Sequence, residues 1–130
     1  MDVAEVHALC AAFPGAWPDN PWDHEHPVFK VGPGERGKIF AFLGAATVGV
    51  KAGLTRDVAD EWLERYPDDA SVMAYIGRSG WNDLALDGAI PDDELVEAVE
   101  ESYRLVVTRL PRRDRPDGWE RWALNGAASS

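Results

Sequence analysis

The sequence predicts a two-layer α+β domain, in which helices cover one face of an antiparallel sheet of about five strands. Helical and strand patterns follow the order helix, three or four strands, helix, two strands, helix. The links between strands are short, which favours antiparallel neighbours. The last helix carries an apolar stripe that is roughly 27 Å long at the usual helical rise. A stripe of that length requires a sheet to cover it.

The chain has 130 residues, which favours one domain with a core that needs neither metal nor disulfide. We place this domain at residues 1–113 and a partly disordered extension at 114–130. The only cysteine, Cys10, lies on the apolar face of the first helix and is expected to be buried. The longest uncharged run, 39–50, is too short to span a bilayer, so we expect a cytoplasmic protein without a membrane partner.

The first helix is predicted at residues 3–13. Asp2 is its N-cap, and Glu5 stands where a capping box requires an acidic residue. The segment 16–27 is rich in proline, which argues against a central strand. It is expected to supply at most a short edge strand at 16–19.

The middle of the chain alternates apolar runs with glycine-rich or proline-containing turns. Strands are predicted at 28–31, 38–43, 47–51, 72–76 and 81–86. Thr55 is the expected N-cap of a second helix at 56–66.

The last helix is expected between Pro91 and Pro111, with Pro91 in its first turn and acidic residues after it. Beyond this helix, Trp119 and Trp122 are three residues apart and are expected to dock as a short helical extension. Residues 126–130 are expected to be disordered.

Two histidines, His24 and His26, alternate with acidic residues before the first central strand. In an extended segment, alternate side chains share a face, so two imidazoles could converge on a metal. No third ligand follows at a recognisable spacing, so a solvated polar loop is the preferred interpretation. We therefore expect neither a metal nor a cofactor.

The strand at 81–86 gives the clearest indication of a functional surface. Leu84 and Leu86 share one face and are expected to meet the helices, which leaves Trp81 and Asp83 on the other face. An outward-facing tryptophan in a sheet is unusual enough to suggest a binding surface.

Cations are expected to share this outer face. Lys30, Lys38 and Lys51 lie on it if Val31, Ile39 and Val50 are core residues. Phe40 and Phe42 have the same parity as Lys38, so aromatic rings and cations would be interleaved.

Such a surface is suited to base stacking and phosphate contact, and equally to a planar small molecule or a protein partner. It could also be covered by the tail or by a second copy in a homodimer. The net charge is −10, which repels polyanions, so any nucleic-acid site must be local. We find no catalytic constellation, because Ser102 has no histidine at helical spacing and His7 stands alone. A non-enzymatic protein is expected.

The chain resembles the MmcQ/YjbR family of small bacterial proteins over most of residues 28–113. Four segments carry the resemblance, in the family's order: GKIFAF at 37–42, WNDLALDG at 81–88, IPDDEL at 90–95 and SYRLVV at 102–107. A Leu-Pro pair at 110–111 follows the last segment.

This resemblance implies an α+β fold of the frataxin-like or secretion-chaperone-like type. It also implies DNA binding through a double-wing motif. The family positions that match would make Lys30, Lys51, Arg78 and Trp81 the candidate contacts to DNA or another ligand.

Overall fold

The computed structural model describes residues 1–121. Its helices are α1 (Val3–Ala11), α2 (Arg56–Arg65) and α3 (Asp92–Val107). Its strands are β1 (Ala16–Asp19), β2 (Val28–Val31), β3 (Lys38–Leu43), β4 (Thr47–Lys51), β5 (Ala70–Val72) and β6 (Trp81–Ala85). Three short 3₁₀ turns lie at Gly34–Arg36, Gly77–Ser79 and Arg112–Asp114.

The six strands form one antiparallel sheet in the order β1-β2-β3-β4-β6-β5. The predicted α+β class and the helix-covered sheet are confirmed, with six strands where about five were expected. The proline-containing strand β1 lies at an edge, where a missing backbone donor is tolerated. No helix among the described residues combines the length and apolar composition needed to cross a bilayer.

The helix starts follow their predicted caps, although α1 ends at Ala11 and not at the predicted residue 13. The backbone N–H of Glu5 donates to the Asp2 carboxylate at 2.9 Å, and the Asp2 N–H donates to the Glu5 carboxylate at 3.1 Å, which completes the capping box. Pro91 differs slightly from its prediction, because it is the N-cap of α3 and lies just before the first turn.

One predicted strand is misplaced. The segment 72–76 was expected to be extended, but β5 ends at Val72, which pairs with Asn82 of β6. The chain must then turn back to reach Trp81, and Tyr75 takes a left-handed φ of 66° in that link. The β5–β6 link therefore spans residues 73–80 and includes the 3₁₀ turn at Gly77–Ser79.

The core lies between the sheet and the three helices. Leu84 of β6 is fully buried there, as are Leu95, Val99 and Tyr103 of α3. Helix α2 joins the same layer through Asn82, whose side-chain amide donates to the Ala59 carbonyl at 2.9 Å. The predicted faces of β6 are therefore confirmed: Leu84 and Leu86 are buried, while Trp81, Asp83 and Ala85 are half-buried on the face without helices.

A β-bulge at Phe40 changes which residues of β3 face the helices. Phe29 pairs with Ala41 and Lys30 pairs with Ile39, so Phe40 has no opposite residue in β2. Phe40 consequently turns into the core, where its ring lies 5.3 Å from the ring of Tyr103.

The bulge makes three predictions wrong, of which the first is the outward position expected for Phe40. Ile39 pairs with Lys30 on the face without helices, so it is not a core residue of the helix layer. Lys38 pairs with the buried Val31 and is displaced from the face that holds Lys30. The strict two-residue alternation assumed along β3 does not hold once one residue is inserted.

Ser102 of α3 completes the hydrogen bonding beside the bulge. Its buried hydroxyl donates to the Phe40 carbonyl at 2.6 Å and accepts from the Lys51 backbone N–H at 2.9 Å. The direct β3–β4 pairing stops at Ala41 and Val50, so the hydroxyl bridges the two strands where they no longer pair. Ser102 thereby fixes both the end of β4 and the position of α3.

Candidate functional site

The face of the sheet against which no helix of residues 1–121 packs bears a cluster of apolar side chains, which we call the aromatic face. It comprises Trp22, Ile39, Phe42, Met73 and Trp81. The rings of Phe42 and Trp81 meet edge to face with centroids 5.5 Å apart. Trp22, from the β1–β2 link, lies nearly parallel to Phe42 at 6.5 Å and remains 53% exposed.

Gly49 allows this cluster to close over β4. It pairs with Phe42 on one side and with Asp83 on the other. A Cβ at position 49 would lie 2.8 Å from the Met73 sulfur and 3.1 Å from the Phe42 Cβ. The absence of a side chain therefore lets the β5–β6 link place Met73 directly on the sheet.

Lys51 and Trp81 are brought together as opposite residues of β4 and β6. The Lys51 ammonium lies 6.0 Å from the Trp81 ring and donates to the Ser79 carbonyl at 2.6 Å. Lys51 is only 6% exposed, and burial, with a smaller contribution from the positive Arg109, lowers the pKa of its ammonium. Its charge is thus largely withdrawn from solvent.

Lys30 lies on the same face but on β2, closer to the β1 edge. Its ammonium is 2.7 Å from the Asp19 carboxylate and 5.3 Å from the Trp17 ring. The Lys30 ammonium accordingly lowers the pKa of Asp19. This cation is paired within the chain.

Arg78 lies in the 3₁₀ turn Gly77–Ser79, three residues before Trp81, and is exposed. Its guanidinium has no hydrogen-bond or ion-pair partner within residues 1–121. Of the four sequence-predicted contacts, Lys51, Arg78 and Trp81 therefore belong to one end of the sheet, and Lys30 lies apart from them.

Asp83 is a residue of this face that we did not propose as a site residue from the sequence. It is half-buried, and burial raises the pKa of its carboxyl. No donor or cation within the described residues bonds to its carboxylate. The parity of β6 places it beside Trp81, and that pattern could have identified it.

A concavity of about 340 Å³ lies between α1 and the segment before β2. Its lining comprises Val3, Ala4, His7, Ala8, His26, Pro27 and Leu43. His24 lies elsewhere, with its ring 5.9 Å from Trp22. Residues 1–121 contain no group of three or more potential metal ligands.

The described part of the segment after α3, which ends at residue 121, packs on the β2–β3 link and on the core. The Arg36 guanidinium donates to the nearly buried Asp114 carboxylate at 3.0–3.2 Å and lowers the pKa of Asp114. Trp119 packs against the core, and the Arg115 guanidinium lies 4.8 Å from its ring. The predicted contact of Trp122 and the predicted disorder of 126–130 fall outside the described residues.

These features place the chain in a class of small α+β proteins with one open sheet face. The family model YjbR matches residues 11–105, and the chain belongs to the YjbR family, which confirms the resemblance found in the sequence. The chain is similar to the "Uncharacterized protein YjbR" of Escherichia coli strain K12, with 26% identity over 116 residues that cover 88% of this chain and 95% of that protein. The protein of the same name from Escherichia coli O157:H7 matches equally.

The fold is also similar to the crystal structure of Deinococcus radiodurans protein DR2400, described as a DUF419 domain. The TM-score is 0.77 at 23% identity, and the match covers 88% of this chain and 85% of that one. At this identity the likeness concerns the fold alone.

Proposed function

We propose that the chain is a non-catalytic protein-binding module, and that its aromatic face receives an extended, partly apolar segment of a partner protein. The observation that carries this proposal is the contact of Trp22, Phe42 and Trp81 on the sheet face that no helix of residues 1–121 covers. A few residues contribute most of the binding energy in protein interfaces, and aromatic side chains, tryptophan in particular, are enriched among them.

The two lysines on this face favour a protein over a phosphate backbone. Lys51 is nearly buried and bonded to Ser79, and Lys30 is paired with Asp19, so neither offers a free charge. Contacts to nucleic acid depend on cations that displace counterions. The net charge of −10 adds a repulsion that a protein segment does not meet.

Nucleic-acid binding is the second candidate function, and Arg78 is the observation that favours it. This guanidinium is exposed, unpaired within the described residues and close in sequence to Trp81. One free cation beside one stacking ring would give weak binding that falls only about threefold between 50 and 200 mM salt, since one neutralised phosphate gives a shallow salt dependence.

Selection from a random-peptide library displayed on phage, with the full chain immobilised, tests the first proposal. Selected peptides are then titrated calorimetrically against the wild type, Phe42→Ala and Trp81→Ala. We expect each substitution to weaken binding by about tenfold or more, as truncation of a hot-spot aromatic does. Trp62→Ala, on α2, is the matched control and is expected to bind as the wild type does. Peptides that bind Trp81→Ala and Phe42→Ala normally would overturn the proposal.

Fluorescence anisotropy with labelled duplex and single-stranded DNA, at about 50 and 200 mM salt, tests the second candidate. Saturable binding that weakens with salt and disappears in Arg78→Ala and Trp81→Ala would support nucleic-acid binding in place of protein binding.

A further inference from the structure

Asp83 is a charged group on the sheet face of Trp81 that no cation or donor within residues 1–121 neutralises. It lies two residues after Trp81 on β6, so both side chains point to the same side. Its opposite residue on β4 is Gly49, over which Met73 packs, and Phe42 of β3 lies opposite Gly49. On its other side, Asp83 pairs with the exposed Ser71 of β5. The Asp83 carboxylate therefore lies in the same cross-strand row as the ring of Phe42 and next to the ring of Trp81 on its own strand.

Within residues 1–121, no cation contacts the Asp83 carboxylate; the exposed Arg78 is unpaired and does not reach it, and the cations nearest in the sheet have other partners. Lys51 donates to Ser79, and Lys30 pairs with Asp19. Arg56, which lies under β6 on the helix side, pairs with Asp60 at 2.7 Å. A half-buried carboxylate without a partner is unfavourable unless a ligand supplies the missing charge. Burial accordingly raises the pKa of Asp83, as expected for a carboxylate without a compensating cation.

We infer that Asp83 receives an arginine side chain of the partner segment, with the guanidinium packed between the carboxylate and the ring of Trp81. This inference rests on the proposed protein-binding function of the same face. A guanidinium satisfies both requirements of the site, because its planar fork bonds to both oxygens of a carboxylate and its flat surface stacks on aromatic rings. An ammonium would supply the charge without the stacking.

The charge of the whole chain agrees with this occupant. At −10, the chain attracts cationic segments over a Debye length, which is about 8 Å in physiological salt. Apolar residues beside the arginine of the segment would contact Phe42, Met73 and Trp22, which surround the same position. The expected partner is therefore a segment that contains arginine flanked by apolar or aromatic residues.

The test uses the phage-selected peptides and the full chain. Arginine is expected to be enriched at one position of the selected peptides. Asp83→Asn is expected to weaken the binding of these peptides by about tenfold to hundredfold, because the substitution leaves the peptide guanidinium unpaired in a partly desolvated site. Asp68→Asn, which neutralises an exposed acid in the α2–β5 link, is the control and is expected to change binding less than about twofold, since exposed charges contribute little.

Replacement of the peptide arginine by glutamine completes a double-mutant cycle. The loss caused by Asp83→Asn is expected to vanish with the glutamine peptide, which identifies a direct contact. Peptides that depend on Trp81 but lack arginine, or that bind Asp83→Asn normally, would overturn this inference and leave the protein-binding function standing. Peptides that do not depend on Trp81 would overturn both. Circular dichroism of Asp83→Asn checks that the variant is folded.

Discussion

Replacement of Ser102 by alanine should destabilise the domain far more than the loss of one hydroxyl suggests. The hydroxyl donates to the Phe40 carbonyl at 2.6 Å and accepts from the Lys51 N–H at 2.9 Å, and it is fully buried. Alanine leaves two buried backbone groups unpaired, each of which costs about 1–3 kcal/mol. We therefore expect the free energy of unfolding to fall by about 2–4 kcal/mol.

Urea unfolding at neutral pH, followed by circular dichroism, measures this change. The slope of the unfolding free energy against urea concentration should be the same in the variant and the wild type. Ser71→Ala is the matched control, because Ser71 is an exposed strand residue, and its effect should stay within about 0.5 kcal/mol. A loss below about 1 kcal/mol in Ser102→Ala would refute the reasoning, since the two strands would then be able to pair without the bridge.

Three further predictions concern the sheet and its ion pairs. Gly49→Ala should lower the free energy of unfolding, measured with urea, by about 1–2 kcal/mol, because the new Cβ would overlap the Met73 sulfur. The decrease should be smaller in a Met73→Ala background. Asp83→Asn should stabilise the chain at neutral pH, because the pKa of Asp83 is raised in the folded state and its ionised carboxylate destabilises the fold above the unfolded pKa. The increase in stability should disappear in thermal melts at a pH below the unfolded pKa, where the carboxyl is protonated in both states. Asp114→Asn should have the opposite effect and destabilise the chain at neutral pH, because Arg36 lowers the pKa of Asp114 in the folded wild type. The wild-type Asp114 carboxylate stabilises the fold above its unfolded pKa, and this contribution is lost as pH falls through the folded pKa. An acid-unfolding midpoint that is the same in wild type and variant would contradict this prediction.

Features that depend only on residues close together in the sequence were predicted correctly from local sequence patterns. The capping box at Asp2 and Glu5 depends on residues three apart, and the two faces of β6 follow from simple alternation. The outward position of Trp81 was predicted on that basis, and so was the placement of Leu84 in the core.

Features that depend on a second segment of the chain could not be read from the sequence. The bulge at Phe40 requires knowledge of how β2 pairs with β3, and it moved Lys38 off the expected face. The burial of Lys51 depends on the Ser79 carbonyl, which a distant link supplies. The surface therefore carries fewer free cations than the lysine positions indicated.

The indole N–H signals of the tryptophans, recorded by ¹H–¹⁵N NMR during titration with a selected peptide, test the binding role of the aromatic face most directly. The signals of Trp22 and Trp81 are expected to shift and saturate together, while those of Trp62, on α2, and of Trp119, after α3, stay in place. Saturable binding that shifts Trp62 or Trp119 and leaves Trp81 unchanged would place the partner elsewhere and contradict the proposed role of the open sheet face.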